Sequence, residues 1–313
     1  MTSSETPASG IARRDLLTIA GAGAAVAGGF GMANAALAQS QTPGGGSATG
    51  QPQGRSTVAL DRLPMGVLLI GINRPDAQNR IDIPTFNALG QAYYEFEHDD
   101  GLRVAVLYGK GPDFSQGLDL QSWGAGLRAG PFQQPPKFID PVGTAGPERS
   151  KPLVVAVQGR VTRIAHELFL AADTRVAAED AIFNQGEVTA GSFPGGGATV
   201  RFVREAGWGN AMRYMLTGQD WGAADAYRMG LVQEVTAPGQ QLDRATDLAK
   251  QIASVAPLGV RALLTSARRA LSEGEKLAMA TLQPEFARLL RSEDRQEYIR
   301  SLQEHRTPIF VGR

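Results

Sequence analysis

Two glutamates, Glu167 and Glu187, are the residues of this sequence whose type and spacing could carry acid–base chemistry. They lie on either side of an apolar stretch that predicts a short buried helix followed by two short strands. A helix followed by a reversing strand pair can bring Glu187 back beside Glu167. Two carboxyl groups that face each other in an apolar pocket can act as an acid and a base. The alternative is an ordinary structural role, because the chain contains 31 acidic residues and ion-pair networks also use such residues.

The residues around the two glutamates predict the elements that position them. Leu153–Val157 (LVVAV) is a continuous apolar run, which is typical of a buried strand. The residues after the first glutamate predict a short buried helix that ends near Asp173. Residues 175–178 and 181–183 predict two short strands that turn at Glu179-Asp180 and form a tight pair.

Composition limits the classes of function that this chain can have. With 313 residues, of which 42% are hydrophobic, the chain can form one large domain or two modest ones. Its formal net charge of zero argues against electrostatically driven binding to nucleic acid. The absence of cysteine excludes thiolate zinc sites, thiol nucleophiles and disulfides. The three histidines, His98, His166 and His305, are far apart in the sequence, which argues against a histidine-rich metal site.

The N-terminal residues 1–38 resemble a bacterial twin-arginine (Tat) export signal. The pair Arg13-Arg14 precedes an apolar run rich in alanine and glycine, and Ala36-Leu37-Ala38 fits a cleavage site before Gln39. The alternative is a membrane anchor, for which the run is weakly hydrophobic. The signal implies the Tat translocase as a partner and a periplasmic location, or a cytoplasmic one if the signal is not used. Residues 39–55 predict a disordered linker.

From Ser56 onward the pattern predicts alternating strands and helices, followed by helices alone. The predicted strands outside the central stretch are 57–60, 67–72, 103–108 and 231–235, and the predicted helices are 84–98, 210–216, 223–229 and most of the chain after 240. Glycine-rich loops are expected at 109–119 and 191–199, and a long connection at 124–150 that could form a substrate-facing lid. The order of elements predicts an α/β fold with an all-helical C-terminal part.

Several motifs in this order resemble the crotonase (enoyl-CoA hydratase/isomerase) superfamily from residue 56 to 313. They are NRP at 73–75, VLYGKGPDFSQGLDL ending at Leu120, KPLVVAVQG at 151–159, HELFLAADTRVAAEDAIFNQGEV at 166–188, and the later FPGGGAT, MLTGQDWGAADAYRMGLVQEV and RTPIFVGR. The resemblance implies a spiral of repeated ββα turns, with two stacked sheets surrounded by helices, over residues 56–254. It also implies a C-terminal helical trimerisation region at 255–313 and a homotrimer or hexamer.

The resemblance also implies a reaction on an acyl-CoA thioester. The backbone amides of Gln116 and Ile164 would hold the thioester oxygen in an oxyanion hole. Glu167 and Glu187 would handle the attacking water and the α-proton. Coenzyme A would enter as part of the substrate, with no separate cofactor and no metal. The implied substrate-binding residues are Arg74, Ala77, Ser115, Gly117 and Asp119, although Asp119 also fits a helix N-cap.

The sequence departs from the family pattern next to the first glutamate. Arg163, Ile164 and Ala165 stand where the family usually has three glycines. If Ile164 needs a positive φ angle, we expect strain there. Arg163 could bind an anionic substrate group or form a surface salt bridge. His166 is expected to pack or to hydrogen bond to a residue that supports the site rather than to act directly, and Gly186 replaces the usual proline.

Retention of both glutamates favours reversible addition of water to a 2-enoyl thioester. Two alternatives remain open, since CoA thioesters are cytosolic and the predicted signal directs export. One is an isomerase or hydrolase of the same fold that acts on a non-CoA carbonyl compound in the periplasm. The other is a catalytically idle trimeric binding protein.

Overall fold

The computed structural model of the protein describes residues 56–129 and 132–313. The predicted signal at 1–38 and the predicted linker at 39–55 lie outside the described residues. The described strands are β1 (Val58–Leu63), β2 (Val67–Ile72), β3 (Val104–Gly109), β4 (Leu153–Val157), β5 (Arg160–Thr162), β6 (Thr174–Ala178), β7 (Ile182–Asn184), β8 (Trp221–Gly222) and β9 (Glu234–Thr236).

The described helices follow the strands in alternation and then form the end of the chain. They are α1 (Ile83–His98), α2 (Leu120–Ala129), α3 (Ile164–Leu170), α4 (Ala198–Ala206), α5 (Trp208–Thr217), α6 (Ala223–Arg228), α7 (Gln241–Ala253), α8 (Pro257–Glu273), α9 (Glu275–Ala280), α10 (Leu282–Leu290) and α11 (Glu293–Gln303). None of these helices is both long and apolar enough to span a lipid bilayer.

Two sheets form the core, as the α/β fold with stacked sheets requires. The larger sheet has the order β1-β2-β3-β4-β6-β9, in which only the β1–β2 pair is antiparallel. The smaller sheet has the order β5-β7-β8. The whole of β4 is buried because its alternate side chains face two apolar clusters. Helix α7 covers one face, and helices α1 and α3 contribute to the other, which explains the continuous apolar run of β4.

The predicted tight pair of strands after the first glutamate is wrong. β6 lies in the larger sheet between β4 and β9, whereas β7 lies in the smaller sheet between β5 and β8. The chain therefore passes from one sheet to the other at the turn that was predicted to close a hairpin. What returns Glu187 toward Glu167 is the parallel pairing of β5 with β7, since β5 leads into α3 and β7 leads toward Glu187.

Other predicted elements also differ from the structure. Helix α3 begins at Ile164 and contains the first glutamate, whereas the apolar pattern alone placed the helix after it. Helix α2 occupies the first part of the connection predicted at 124–150. Helix α4 begins at the end of the loop predicted at 191–199. The sequence pattern missed α2 and α4 because glycine lies within one and directly before the other, and glycine weakens a helical prediction.

The C-terminal helices are poorly buried within a single copy of the chain. Helices α8 and α10 contain no buried residue. Large apolar side chains remain exposed along α8, α9 and α10, among them Leu263, Leu277 and Phe286. By contrast, the final residues are anchored, since Asp294 accepts hydrogen bonds from the backbone N–H groups of Val311 and Gly312.

Candidate active site

Both glutamates line one cavity of about 780 Å³. This volume lies in the range of small-molecule sites. Four segments enclose the cavity: the loop after β2, the loop before α2, the junction of β5 with α3, and the loop before α4. The lining residues are Asp76, Ala77, Gln78, Arg80, Gln116, Leu118, Asp119, Leu120, Gln121, Thr162, Arg163, Ile164, Glu167, Glu187, Ala190, Ser192, Phe193 and Gly195.

Glu167 is buried at the base of the cavity, with 2% of its surface exposed. Its Oε1 accepts hydrogen bonds from the backbone N–H groups of Gly196 (2.7 Å) and Ala198 (3.1 Å), which fix the carboxyl group. Burial raises the pKa of Glu167 to about 7, and the negative charge of Glu187 also raises it, while the two backbone donors partly oppose the shift. A carboxyl group with this pKa can both give and take a proton near neutral pH.

Glu187, the second carboxyl group that lines the cavity, is the first residue of a short 3-10 helix, Glu187–Ala190. Its Oε1 accepts a hydrogen bond from Gln185 Nε2 (2.9 Å), and its Oε2 has no protein partner among the described residues. Burial raises the pKa of Glu187, while the charge of Arg163 and the bond from Gln185 lower it. Oε2 is thus a buried oxygen whose hydrogen-bonding capacity the described residues leave unused.

Gln185 connects Glu187 to His166. His166 is fully buried, and its Nδ1 hydrogen bonds to Gln185 Oε1, which assigns the proton to Nδ1 because the amide oxygen only accepts. Burial lowers the pKa of His166 to about 3, so the ring is neutral at physiological pH. Four aromatic rings surround it, those of Phe169, Phe183, Phe202 and Trp221. His166 thus holds Gln185, and Gln185 holds the carboxylate.

Replacing Gln185 with methionine is expected to lower kcat about 10-fold with a smaller change in KM. The substitution keeps the side-chain volume but removes the bond to Glu187, and hydrogen bonds to charged groups contribute about 1.5–3 kcal/mol. Because that bond lowers the pKa of Glu187, its loss should move the pH limb governed by Glu187 to higher pH. An unchanged pH profile of kcat would contradict the positioning role of Gln185.

Two backbone amides near the glutamates were predicted as oxyanion donors, and the structure places them differently. The Ile164 N–H, at the start of α3, has no hydrogen-bond acceptor among the described residues. The Gln116 N–H donates to the Gln78 carbonyl oxygen at 3.1 Å. Both residues line the cavity. A thioester oxygen in the cavity would therefore meet one N–H group, that of Ile164, without an acceptor among the described residues. At Gln116 it would have to share the N–H group with the Gln78 carbonyl oxygen or displace that oxygen.

The backbone strain expected at Ile164 occurs one residue earlier, at Arg163. Arg163 has φ 55° and ψ −114°, whereas Ile164 has an ordinary helical conformation. This region of φ/ψ space is adopted almost only by glycine, and such strain costs about 1–3 kcal/mol. The strain occurs where the chain turns from β5 into α3, and this turn places Ile164 at the wall of the cavity.

Arg163→Gly is expected to raise the free energy of unfolding by about 1–2 kcal/mol. Glycine adopts the native φ and ψ without the Cβ clash, although it also gains entropy in the unfolded chain, which offsets part of the benefit. Thermal and urea unfolding of the two proteins would measure the difference. Arg160→Gly, on the same segment but in extended β5, is the control and should be destabilising.

The remaining predicted substrate-binding residues are divided between the cavity and its support. Ala77 and Asp119 line the cavity, and Asp119 Oδ1 also accepts the Ser122 N–H (3.2 Å) at the start of α2. Arg74 forms salt bridges with Asp82 (3.1 Å) and Asp119 (3.5 Å). Arg74, Ser115 and Gly117 are not among the described residues that line the cavity.

Ser115 and Gly117 support the loop that carries the Gln116 amide. Ser115 is fully buried, and its Oγ accepts the Gly117 N–H at 3.2 Å. Gly117 has φ 91°, and a Cβ there would lie 3.0 Å from the Thr162 carbonyl oxygen. Glycine therefore allows this loop to approach the end of β5. No group of three or more acidic or histidine side chains in the described part of the chain is arranged to hold a metal ion.

Sequence reasoning missed Gln185, Gly196 and Ala198 as parts of the site. Gln185 lies two residues before Glu187, so its proximity was available, but its bond to His166 spans nineteen residues and depends on the β5–β7 pairing. Gly196 lies in the glycine-rich loop that precedes α4, and Ala198 is the first residue of that helix. That composition indicated a tight loop and gave no sign that its N–H groups bind Glu167.

Comparison with known proteins gives consistent matches over most of the chain. A family profile described as enoyl-CoA hydratase/isomerase matches residues 62–313. An enoyl-CoA hydratase of Mycobacterium tuberculosis is 32% identical over 256 residues, covering 79% of this chain and 93% of the relative. A carnitinyl-CoA dehydratase of Salmonella paratyphi A is also 32% identical over 256 residues, covering 79% and 95%. The crystal structure of a probable enoyl-CoA hydratase/isomerase from Mycobacterium abscessus matches with a TM-score of 0.79 and 45% identity, covering 82% of this chain and 99% of that one.

Proposed function

The chain belongs to the enoyl-CoA hydratase/isomerase family, and we propose that this enzyme adds water reversibly to a 2-enoyl-CoA thioester. The observation that carries the proposal is the pair of carboxyl groups in one cavity, that of Glu167 buried and that of Glu187 half-buried, beside an N–H group that has no acceptor among the described residues. The relatives named as an enoyl-CoA hydratase and a carnitinyl-CoA dehydratase support hydration or dehydration of a CoA ester. CoA would be part of the substrate, with no separate cofactor.

In the proposed reaction the two glutamates hold one proton between them. The ionised carboxylate takes a proton from water as its oxygen attacks the β-carbon. Electron density moves from the double bond to the thioester oxygen, which gives an enolate-like state. The protonated carboxyl group then gives its proton to the α-carbon, so that one water molecule has been added. The pKa of about 7 for Glu167 fits a site that is half-protonated near neutral pH.

The backbone amides of Ile164 and Gln116 would stabilise the charge that develops on the thioester oxygen. A donor of this kind contributes about 2.7–4 kcal/mol to the transition state. The Ile164 N–H has no acceptor among the described residues, so it can donate to this oxygen directly. The Gln116 N–H is bonded to Gln78 at 3.1 Å, which is within the normal range, so substrate binding must replace or share that bond.

Turnover of a short 2-enoyl-CoA is the direct test. Crotonyl-CoA mixed with the purified protein should lose the ultraviolet absorbance of its conjugated thioester as water adds to the double bond. Mass spectrometry of the product should show the addition of one water molecule. If the absorbance stays constant and no hydrated product forms, the proposed hydration is wrong for this substrate class.

The predicted export signal favours a second candidate, an isomerase or hydrolase that acts on a non-CoA carbonyl compound in the periplasm. It would use the same carboxyl pair and backbone amides on a ketone or an ester. Export by the Tat translocase is part of this candidate, and fractionation of cells would locate the protein. Turnover of small esters without CoA binding in calorimetry would favour it over the first candidate.

The exposed apolar faces of the C-terminal helices support assembly into a homotrimer or a hexamer. A cavity of about 1020 Å³ lies among α8, α9 and α10 and is lined by apolar side chains that include Phe286 and Leu263. A second copy of the chain is proposed to cover these faces. We expect light scattering to give three or six times the mass of one chain. Phe286→Glu should lower that mass, whereas Leu216→Glu on α5, another exposed apolar position, should not.

A further inference from the structure

Arg163 is a charged side chain that lines the cavity and forms no salt bridge in the described part of the chain. Its backbone is fixed on both sides, since its N–H donates to Asn184 O (2.8 Å) and its carbonyl oxygen accepts the Glu167 N–H (3.0 Å). Its Nε is buried and has no hydrogen-bond partner, and the guanidinium forms no salt bridge with any side chain in residues 56–129 and 132–313. The surface salt bridge considered from the sequence is therefore not formed. A partly buried charge without a partner is costly.

The side chain begins beside the two amides of the predicted oxyanion hole. A Cβ on Gly117 would lie 3.8 Å from the Cβ of Arg163, and Ile164 is the next residue in the chain. The positive charge also reaches Glu187 and lowers the pKa of that carboxyl group. Arg163 thus lies beside the loop that carries the Gln116 amide and directly before Ile164, and its charge acts on one of the two carboxyl groups.

We propose that Arg163 binds a carboxylate on the acyl chain, so that the substrate is the CoA thioester of an unsaturated dicarboxylic acid. This inference rests on the proposed function and specifies its substrate class. The planar guanidinium matches a carboxylate with two parallel hydrogen bonds. A ligand carboxylate would give the guanidinium the hydrogen-bonded ion pair that it lacks among the described residues. It would also account for an arginine in a backbone conformation that favours glycine, because strain at a site persists where the side chain is needed.

Binding of saturated thioesters tests the inference without requiring turnover. Glutaryl-CoA carries a terminal carboxylate, and pentanoyl-CoA is its neutral counterpart. Calorimetry on the intact protein should give at least about 10-fold tighter binding of glutaryl-CoA. Arg163→Gln should remove this preference, and Arg163→Lys should keep part of it. Arg160→Gln is the matched control, since it removes the same charge from an exposed position on β5 and should leave the preference unchanged.

The outcomes separate this inference from the proposed function. The inference is overturned if the two thioesters bind equally well. It is also overturned if Arg163→Gln weakens the binding of both equally, which would indicate that Arg163 contacts the CoA phosphates or the carboxyl pair. Glutaconyl-CoA and pent-2-enoyl-CoA then test turnover. Charge-dependent binding without hydration of either supports Arg163 as the carboxylate site and contradicts the proposed reaction. Hydration of both at equal kcat/KM contradicts the inference alone, and failure to bind either thioester contradicts both.

Discussion

Replacing Glu167 with glutamine is expected to lower kcat for hydration by about 10²–10⁴-fold, the usual contribution of general acid–base catalysis. Glutamine keeps an oxygen that can accept the N–H groups of Gly196 and Ala198, so the loop before α4 should stay in place. The substitution removes only the ability to exchange a proton. Glu179→Gln is the matched control, since Glu179 is exposed at the turn between β6 and β7, and its kcat should equal that of the unaltered enzyme.

The same substitution should make the protein more stable at neutral pH. Burial raises the pKa of Glu167 from 4.5 to about 7, so between these values the folded protein holds a proton that the unfolded chain has released. The free energy of unfolding therefore falls as the pH rises through this window, and the loss levels off above about pH 7. A shift of this size corresponds to about 3 kcal/mol. Glutamine does not titrate, so the free energy of unfolding of Glu167→Gln does not fall in this pH window.

Thermal unfolding of both proteins at pH 4.5, 6 and 8 would measure the effect. The advantage of Glu167→Gln in Tm should be small at pH 4.5 and should grow to its maximum by pH 8. An inactive variant that is also less stable at pH 8 would show that the buried carboxyl group is ordinary structural support. A variant with normal kcat would remove Glu167 from the proposed mechanism.

The sequence predicted that Glu167 and Glu187 share a site, and the structure places both in one cavity by a different route. The predicted hairpin of β6 and β7 was a local explanation, and local patterns cannot show that the chain changes sheets between two short strands. The pairing that matters joins β5 to β7. β5 has only three residues, Arg160–Thr162, which is too short for a pattern of alternation to identify it as a strand.

The fine geometry of the site depended on contacts that sequence patterns do not encode. A strained turn was expected at Ile164, but the positive φ lies at Arg163, because a side-chain type indicates where strain would be costly and not which residue makes the turn. The pKa of Glu167 is raised by burial and by the charge of Glu187, and it is partly lowered again by N–H groups about thirty residues away. The sequence could therefore predict that the two glutamates share a site, whereas it could not predict their protonation states.

Gly196→Ala is expected to lower kcat by about 10- to 100-fold, the second largest effect among these predictions. An added Cβ would lie 2.6 Å from Glu167 Oε2, 2.8 Å from its Cδ and 3.0 Å from Ile164 Cδ1. The φ of Gly196 is not in the left-handed region, so alanine is compatible with the backbone and the clash falls on the carboxyl group. Moving a reacting group by about 1 Å can cost about 10²-fold in rate.

Displacement of the Glu167 carboxyl group would also weaken the hydrogen bond from the Gly196 N–H, now 2.7 Å long. We therefore expect a loss of stability of about 1–3 kcal/mol, as for other overpacked sites. Gly209→Ala is the control, because Gly209 lies exposed in α5 and an added Cβ there meets no atom within 4 Å. Since alanine favours a helix over glycine by up to about 1 kcal/mol, Gly209→Ala should be at least as stable as the unaltered protein and equally active. If Gly196→Ala kept full kcat, the position of the Glu167 carboxyl group would not limit the reaction, and the proton transfer proposed for it would have to be assigned to Glu187 alone.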